Sequence, residues 1–327
     1  MSFEIIVTMG PSLPDGAAVR EVFELAPCIF RINGSHSSTE EIRATAESVR
    51  LHAPSAKLMV DLPGNKVRTS GSFRPLEFVE GQRLELGPED LNFPEFSQFI
   101  EEGDIVLTND SLNSLTVTKA NAKEQTIALI ARDNGMLLPN KGIHVPGRVM
   151  NTPFLFAKDR EILTLVSELE FDYVAISFVK TAKDIRDVRA LMGDCEPHII
   201  AKVERKEAVH NLAEILEETE SILIDRGDLS NDVGMLNVPF CQATIVRRAL
   251  SQHKRVYLAT QFLKSMEDNS IPLVAEVMGL YNDISQGIAG IQLSEETAIG
   301  NHPKACVELA HNMYLKYQRA LDEWSQV

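Results

Sequence analysis

With 327 residues, of which 44% are hydrophobic, the chain can bury a large core and has the length of one large α/β barrel or of two domains. Its formal net charge of −15 at pH 7 argues against a nucleic-acid-binding surface, which needs clustered Lys and Arg to contact phosphates. A local anion site is still compatible with this charge.

The spacing of the cysteines and the composition of the amino terminus indicate the cellular compartment of the protein. The four cysteines, Cys28, Cys195, Cys241 and Cys306, have neither a zinc-ligand spacing nor the pattern of a disulfide framework. The amino terminus lacks a basic region followed by a long apolar stretch, and no segment has about 18 consecutive apolar residues. We therefore expect a cytoplasmic protein with no membrane partner and no nucleic-acid partner.

Eight short apolar runs alternate with amphipathic segments along most of the chain. The runs have the length of buried strands and occupy residues 3–9, 28–32, 57–61, 171–177, 198–203, 221–225, 255–259 and 288–293. Helical patterns lie between them, at 38–52, 159–170, 182–192, 206–218, 239–252 and 273–286. This alternation predicts an α/β fold of the TIM (β/α)8 barrel type.

One connection interrupts this alternation. Between residues 63 and 146 the helical period is lost, and short alternating strands are predicted at 83–86, 105–107, 114–118 and 126–131. We therefore expect a barrel made of residues 1–62 and 147–327, with a small β-barrel-like domain at 63–146 inserted after the third strand. Such a domain could close over an active site as a lid. The alternative is an insertion without a functional role.

Three charged residues follow two successive apolar strands. Lys202 and Glu204 are two positions apart, so their side chains point to the same side of a strand, and Asp228 follows the next strand. Burying unpaired charges is costly, so these residues need partners. They would suit a divalent ion, Mg²⁺ or Mn²⁺, next to an anionic substrate. The alternative is a structural salt bridge.

Polar residues also follow the other predicted strands, at the end where TIM barrels carry their active sites. They are Thr8, Arg31, Asn33, Ser35, His36, Asp61, Ser177, Thr260, Gln261 and the segment Ser294-Glu-Glu-Thr297. The sequence therefore predicts a single active site at the carboxyl ends of the barrel strands.

These residues belong to motifs that resemble the pyruvate kinase family in order and spacing along nearly the whole chain. The motifs are Val7-Thr-Met-Gly-Pro-Ser12, Arg31-Ile-Asn-Gly-Ser-His36, Asp61-Leu-Pro-Gly64, Lys141-Gly-Ile-His-Val-Pro-Gly147, Ile176-Ser-Phe-Val179, Ala201-Lys-Val-Glu204, Arg226-Gly-Asp-Leu229, Ala259-Thr-Gln-Phe-Leu263 and Leu293-Ser-Glu-Glu-Thr-Ala298. The resemblance implies a glycolytic phosphotransferase with small-molecule substrates. It would transfer a phosphoryl group between phosphoenolpyruvate and ADP, or use ATP in reverse, through a metal-stabilised pyruvate enolate.

The resemblance also implies roles for single residues. Glu204 and Asp228 match the family's ligands of the divalent ion, and Lys202 matches a lysine beside the transferring phosphoryl group. Three residues match a group implicated in delivering a proton to the enolate: Thr260, Ser294 and Glu296. Taken alone, a hydroxyl such as that of Thr260 could equally cap a helix.

The phosphates and the nucleotide would be bound by further matching residues. Arg31 and Arg68 match arginines that bind phosphates, a role that suits the forked guanidinium group. We also assign His36, Asn33 and Lys66 to the cofactor-binding residues. The alternative for the two arginines is a surface ion pair.

A monovalent-cation site is the next implication of the resemblance. Family members that need K⁺ have ligands matching Asn33, Ser35 and Asp61, with a threonine in place of Leu62 and a glutamate in place of Lys66. A lysine at this position resembles a K⁺-independent branch, in which the ammonium group supplies the positive charge. We therefore expect that K⁺ is not required, unless Lys66 is simply a solvated residue at the hinge of the inserted domain.

The chain also departs from the family's pattern. It stops at Val327, whereas typical pyruvate kinases continue into a C-terminal domain that binds effectors and builds part of the tetramer. We therefore expect a compact form without classical effector control, and a homo-oligomer is an open alternative. Local departures at Gly34, Ser37, Pro63, Ser230, Lys264 and Glu295 concern substrate contacts.

Three interpretations of function compete. The first is the pyruvate-kinase-like phosphotransferase, and the second is a divalent-metal-dependent aldolase or lyase, or a kinase, acting on another 2-oxo acid enolate. The third is a non-catalytic sensor, which would be recognised by the loss of Lys202, Glu204 or Asp228. All three residues are present. The physiological substrate and the direction of the reaction do not follow from the sequence.

Overall fold

The structure, a computed structural model, describes residues 3–109, 112–146 and 152–324. The chain divides into two compact units. The first consists of Met1–Pro63 and Ala157–Val327, and the second is Gly64–Phe156.

The first unit is a closed barrel of eight parallel strands, which confirms the predicted TIM barrel. Its strands are Glu4–Thr8, Cys28–Asn33, Lys57–Leu62, Tyr173–Ile176, His198–Val203, Ser221–Asp225, Arg255–Ala259 and Gly290–Leu293. Consecutive strands are neighbours in the sheet. The eighth strand pairs with the first, with Gly290 opposite Glu4 and Leu293 opposite Val7, so the barrel has no free edge.

Helices follow the barrel strands. They are Gly16–Leu25, Thr39–His52, Ala157–Glu168, Ala182–Met192, Lys206–His210, Leu212–Glu218, Arg226–Val233, Val238–Ser251, Val274–Ser285, Glu295–Ala298 and Pro303–Trp324. The predicted helix 206–218 is thus two helices with a break at Asn211. The Asn211 side chain donates a hydrogen bond to the Lys180 carbonyl at 2.9 Å, and asparagine favours such contacts over a helix interior.

The second unit, Gly64–Phe156, is built from short antiparallel strands. Five of them form one sheet in the order Ile143–His144, Ile105–Thr108, Asn113–Asn121, Thr126–Ala131 and Arg83–Leu86, and Leu76–Phe78 pairs separately with Gly135–Leu137. The sequence predicted a β-barrel-like arrangement, whereas this sheet is open. Among the described residues, its edge strands Ile143–His144 and Arg83–Leu86 pair with their inner neighbours and not with each other.

The boundary of this unit also differs from the predicted return to the barrel at residue 147. Phe156 packs into the core of the second unit, where its ring stacks on Phe93 with centroids 4.8 Å apart. An aromatic ring that is buried in one core adds its stabilisation to that unit. The unit therefore ends at Phe156, while residues 147–151 lie outside the described part of the chain.

Among the described residues, no helix is long and apolar enough to cross a membrane.

Candidate active site

Six barrel strands place an apolar side chain in the barrel interior and a polar side chain two residues later. Because side chains alternate along a strand, both members of each pair face the interior. The pairs are Ile6 and Thr8, Ile29 and Arg31, Met59 and Asp61, Ala175 and Ser177, Ile200 and Lys202, and Leu223 and Asp225. The interior therefore becomes polar toward the carboxyl ends of the strands, which is the active-site end of a TIM barrel.

Lys202 is the centre of this polar layer. Its Nζ lies 2.8 Å from Glu204 Oε1, 3.4 Å from Asp61 Oδ2 and 3.7 Å from Asp225 Oδ2, and it donates a hydrogen bond to Ser177 Oγ at 3.2 Å. Burial alone would lower the pKa of Lys202, but the carboxylates of these three acidic residues raise it above its ordinary value. The lysine is therefore a permanent cation inside the barrel.

Three carboxylates lie together next to this lysine. Glu204, Asp225 and Asp228 each offer a carboxylate oxygen, and these oxygens all lie within 4.8 Å of one another. Burial, together with the neighbouring Asp228 and Asp225, raises the pKa of Glu204 to about 7 despite the opposing effect of Lys202. Burial also raises the pKa of Asp225. Burial and the closeness of the carboxylates thus disfavour the ionised forms of Glu204 and Asp225.

These carboxylates fit a divalent cation. Glu204 Oε1 is buried and forms a close ion pair with Lys202 Nζ at 2.8 Å. The other oxygen, Oε2, accepts a hydrogen bond from the Phe178 N–H at 2.6 Å, which fixes the carboxylate. Hard divalent ions prefer carboxylate oxygens. Glu204, Asp225 and Asp228 could therefore hold Mg²⁺ or Mn²⁺.

Arg31 joins the polar layer through Asp61. Its Nε donates to Asp61 Oδ2 at 2.9 Å, and its Nη1 donates to Thr8 Oγ1 at 3.0 Å. Burial alone would raise the pKa of Asp61, but Lys202 and Arg31 lower it. Asp61 therefore stays ionised and holds the two buried cations next to each other. The carboxylate of Asp61, which the resemblance also assigns to a K⁺ site, thus contacts both Arg31 and Lys202.

The segment after the second strand forms a turn at the same end of the barrel. Asn33 Oδ1 accepts a hydrogen bond from the Ser35 N–H at 3.1 Å, and the Asn33 carbonyl accepts one from the His36 N–H at 3.2 Å. His36 is exposed, and Asn33 and Ser35 are half-buried. The Asn33 side chain thus stabilises the turn that carries His36.

Thr260 lies directly after the seventh strand. Its hydroxyl accepts a hydrogen bond from the Gly227 N–H at 3.1 Å and donates one to the Ala259 carbonyl at 2.6 Å. Gly227 precedes Asp228 in the chain, so the Thr260 hydroxyl is connected to the segment that carries the carboxylates.

Ser294 and Glu296 lie after the eighth strand. The Ser294 N–H donates to Glu296 Oε2 at 2.7 Å, and Gln292 Nε2 donates to Ser294 Oγ at 3.2 Å. Burial raises the pKa of Glu296, whose side chain is almost completely enclosed. Ser294 and Glu296 thus form a local pair at the carboxyl end of their strand.

Lys66 and Arg68 belong to the second unit. Arg68 Nη1 donates a hydrogen bond to the Lys66 carbonyl at 3.2 Å, and the Asn92 side chain donates to the same carbonyl at 3.1 Å. The two predicted residues are therefore close to each other within this unit.

The structure thus brings Lys202, Glu204 and Asp228 together, places the predicted Ser177 beside the lysine, and adds Asp225, which was not among the predicted site residues. Asp225 contributes a third carboxylate, and Ser177 binds the lysine. The strand period could have identified Asp225, because it lies two positions after the interior residue Leu223.

A closed (β/α)8 barrel with a lysine and three carboxylates at its strand ends is typical of a metal-assisted enzyme. The chain matches the model of the pyruvate kinase barrel domain over residues 2–307. The pyruvate kinase of Aeropyrum pernix is 32% identical over 316 residues, which cover 93% of this chain and 68% of that protein. The pyruvate kinases of Sporosarcina psychrophila and Geobacillus stearothermophilus are each 30% identical, over 99% and 98% of this chain.

The chain therefore belongs to the pyruvate kinase family. It spans 58% and 57% of the lengths of the latter two relatives.

Proposed function

We propose that this protein transfers a phosphoryl group between phosphoenolpyruvate and ADP. The observation that carries the proposal is the buried contact of Lys202 with Glu204 at 2.8 Å, beside two further carboxylates, in a member of the pyruvate kinase family. A fixed cation next to a divalent-ion site is suited to phosphoryl transfer, because catalysis of this reaction consists mainly of positioning and charge stabilisation.

The metal would be held by Glu204 and Asp228, with Asp225 as the third carboxylate. When bound, the ion supplies Lewis-acid stabilisation of the negative charge on the substrate carboxylate and on the developing enolate. A cation among these carboxylates would also weaken their attraction for Lys202. The ammonium group would then be available to the transferring phosphoryl group.

Arg31 and Arg68 are proposed to bind phosphate groups, with His36, Asn33 and Lys66 contributing to substrate and nucleotide binding. The guanidinium of Arg31 supports this role because Asp61 and Thr8 fix its orientation before any ligand arrives. A preorganised guanidinium loses little rotational freedom when it binds an oxyanion.

The enolate would be protonated by the group that includes Thr260, Ser294 and Glu296. Thr260 supports this role because its hydroxyl has a defined orientation, fixed by one donor and one acceptor of the backbone. A positioned hydroxyl can pass a proton to the methylene carbon and recover one from water.

The test is pyruvate formation by the purified protein with phosphoenolpyruvate, ADP and Mg²⁺. We expect turnover in the wild type and a loss of about 10²-fold or more in Lys202→Met, since a fixed charge near the reacting group is removed. Lys183→Met is the control, because Lys183 is exposed and pairs with Asp187 on a helix surface. Full activity of Lys202→Met would contradict the proposal. Pyruvate binding without any turnover would favour the lyase instead.

We further propose that the activity does not require K⁺, with the ammonium of Lys66 in place of the ion. Replacing K⁺ by a large cation such as tetramethylammonium should leave the turnover of the wild type unchanged. Lys66→Glu should make the activity depend on K⁺, because a negative charge replaces the fixed positive one. A strong activation of the wild type by K⁺ would disprove this part of the proposal.

A further inference from the structure

The backbone of Thr260 has an unusual conformation. Thr260 has φ of 74° and Gln261 has φ of 56°, so two successive non-glycine residues lie in the left-handed region. This region is unfavourable for a β-branched residue such as threonine and persists only when neighbouring groups enforce it. The structure must therefore contain contacts that hold this turn.

Arg226 provides these contacts. Its Nε donates a hydrogen bond to the Ala259 carbonyl at 3.2 Å, and its Nη2 donates to the Thr260 carbonyl. One guanidinium thus binds the carbonyl on each side of the Thr260 α-carbon. The fork is rigid and planar, so it restricts both peptide groups at once.

Arg226 is itself held from two other sides. Its Nη1 donates to Asp283 Oδ2 at 2.9 Å, and its guanidinium carbon lies 4.3 Å from the centre of the Phe262 ring. Asp283 is buried, and its Oδ1 accepts a hydrogen bond from Gln242 Nε2 at 2.7 Å. The arginine is therefore oriented by the helices Val238–Ser251 and Val274–Ser285, which carry Gln242 and Asp283.

The same arginine belongs to the segment that carries the metal-binding carboxylates. Arg226 and Gly227 lie between Asp225 and Asp228, and the Gly227 N–H donates to the Thr260 hydroxyl at 3.1 Å. Four consecutive residues thus supply two carboxylates, one clamp on the Thr260 backbone and one hydrogen bond to its hydroxyl.

We propose that Arg226, oriented by Asp283, is a positioning residue that fixes the Thr260 hydroxyl for proton transfer to the enolate. This inference rests on the proposed function, in which the phosphoryl group moves first and the enolate is protonated afterwards. In the second step a C–H bond forms at the methylene carbon, the enolate becomes the ketone of pyruvate, and water restores the hydroxyl proton. Loss of the clamp should therefore slow the proton step more than the phosphoryl step.

The two steps can be measured separately. The proton step is followed by proton NMR as the exchange of the pyruvate methyl protons with D₂O in the presence of Mg²⁺ and ATP. The phosphoryl step is followed as ATP formation from phosphoenolpyruvate and ADP in a single turnover. The variants are Arg226→Gln, which removes the fork, Arg226→Lys, which keeps the charge, and Asp283→Asn, which removes the support of Arg226. Arg186→Gln is the control, because Arg186 forms an exposed ion pair with Glu218.

We expect methyl-proton exchange to fall about 10²-fold in Arg226→Gln, because a small displacement of a reacting group has a large effect on rate. The exchange rate should fall less in Asp283→Asn, and Arg226→Lys should exchange faster than Arg226→Gln. In all three variants, single-turnover ATP formation should change far less than exchange. Exchange that stays at the wild-type rate in Arg226→Gln would overturn the inference. So would equal losses in exchange, ATP formation and Mn²⁺ affinity, which would identify a general structural support.

Failure of the proposed function would give a different result. If the wild type forms no ATP from phosphoenolpyruvate, the proposed function is wrong, and the clamp is tested by amide hydrogen exchange of residues 258–263. Faster exchange in Arg226→Gln and Asp283→Asn than in Arg186→Gln would then support the clamp. Equal exchange in all variants would overturn it. Circular dichroism melting identifies any variant that is unfolded, and Asp283→Asn then replaces Arg226→Gln as the decisive variant.

Discussion

Glu204 Oε1 and Lys202 Nζ lie 2.8 Å apart at the carboxyl end of the fifth barrel strand, and both side chains are almost completely buried. The lysine is close to two further carboxylates, those of Asp61 and Asp225. Lys202 is thus shared by three buried carboxylates, and Arg31 is a second buried cation in contact with one of them, Asp61. Asp61 contacts both cations and has a lowered pKa, whereas Glu204 is buried beside Asp225 and Asp228 and has a raised pKa.

The raised pKa of Glu204 predicts that metal binding depends on pH. A proton and a divalent cation compete for this carboxylate, so affinity should fall as the pH drops through about 7. In the metal-free protein, the pKa of Glu204 is higher in the folded state than in the unfolded chain. The stability that Glu204 contributes is therefore fully present below the pKa of the unfolded state and is lost as the pH rises through about 7. Added Mg²⁺ should therefore raise the melting temperature more at about pH 8 than at about pH 6.

Differential scanning calorimetry with Mg²⁺ or with EDTA at the two pH values checks this expectation. Glu204→Gln is the matched variant, because the amide keeps the shape but does not titrate. In this variant, the rise in melting temperature on adding Mg²⁺ should be nearly the same at the two pH values. An equal effect of Mg²⁺ on the wild type at both values would show that Glu204 does not control the site.

Asp225 is expected to contribute to metal affinity. Asp225→Asn keeps an oxygen donor and removes a charge, so the affinity for Mn²⁺ should fall by about tenfold or more. Asparagine is also a good helix cap, and Asp225 caps the helix Arg226–Val233, so the fold should be retained. Electron paramagnetic resonance titration of free Mn²⁺ gives the affinity, and Asp187→Asn on the helix surface is the control. Unchanged affinity would restrict the site to Glu204 and Asp228.

Most of the barrel could be predicted because its strands are short apolar runs between polar helices. The strands His198–Val203, Ser221–Asp225 and Arg255–Ala259 have the predicted bounds. The fourth strand, Tyr173–Ile176, is shorter than its apolar run, 171–177. Before it, the Asp172 carboxylate accepts a hydrogen bond from the Leu58 N–H, and local apolar character does not reveal such a side-chain contact.

The candidate site was predictable only in part. The strand period and the resemblance both pointed to Lys202 and Glu204. The contact of Arg226 with Asp283 joins residues 57 positions apart on separate elements, and no local pattern encodes it. The positive φ of Thr260 was equally hidden, because threonine does not signal a left-handed backbone as glycine does.

Asp61 is expected to be essential for stability as well as for the site. Asp61→Ala would leave the buried Arg31 guanidinium without its ion-pair partner and Lys202 with one carboxylate fewer. Breaking a buried ion pair from one side typically costs about 3–5 kcal/mol of unfolding free energy. Urea denaturation measures this loss, and Asp187→Ala, which breaks an exposed pair, should change the midpoint little. Similar urea midpoints for Asp61→Ala and Asp187→Ala would contradict the role of Asp61 as the partner of two buried cations.

Tyr257 should stabilise the barrel without affecting the candidate site. It is completely buried, and its hydroxyl donates a hydrogen bond to Glu4 Oε2 at 2.6 Å. Glu4 begins the first strand, so this contact lies toward the end of the barrel opposite the active-site end. Tyr257→Phe removes a hydrogen bond to a charged group and should lower the unfolding free energy by about 1.5–3 kcal/mol. Burial, followed by the charge of Glu4, raises the pKa of Tyr257, so the loss should not vary with pH through the neutral range.

Urea denaturation of Tyr257→Phe, with Tyr281→Phe as the control, tests this separation. Tyr281 is partly exposed on the helix Val274–Ser285, so the same chemical change there should have little effect on stability. The affinity for Mn²⁺ and the turnover should match those of the wild type in both variants, because the carboxylates belong to the other end of the strands. A fall in Mn²⁺ affinity in Tyr257→Phe while the protein is still folded would show that the two ends of the barrel are energetically coupled.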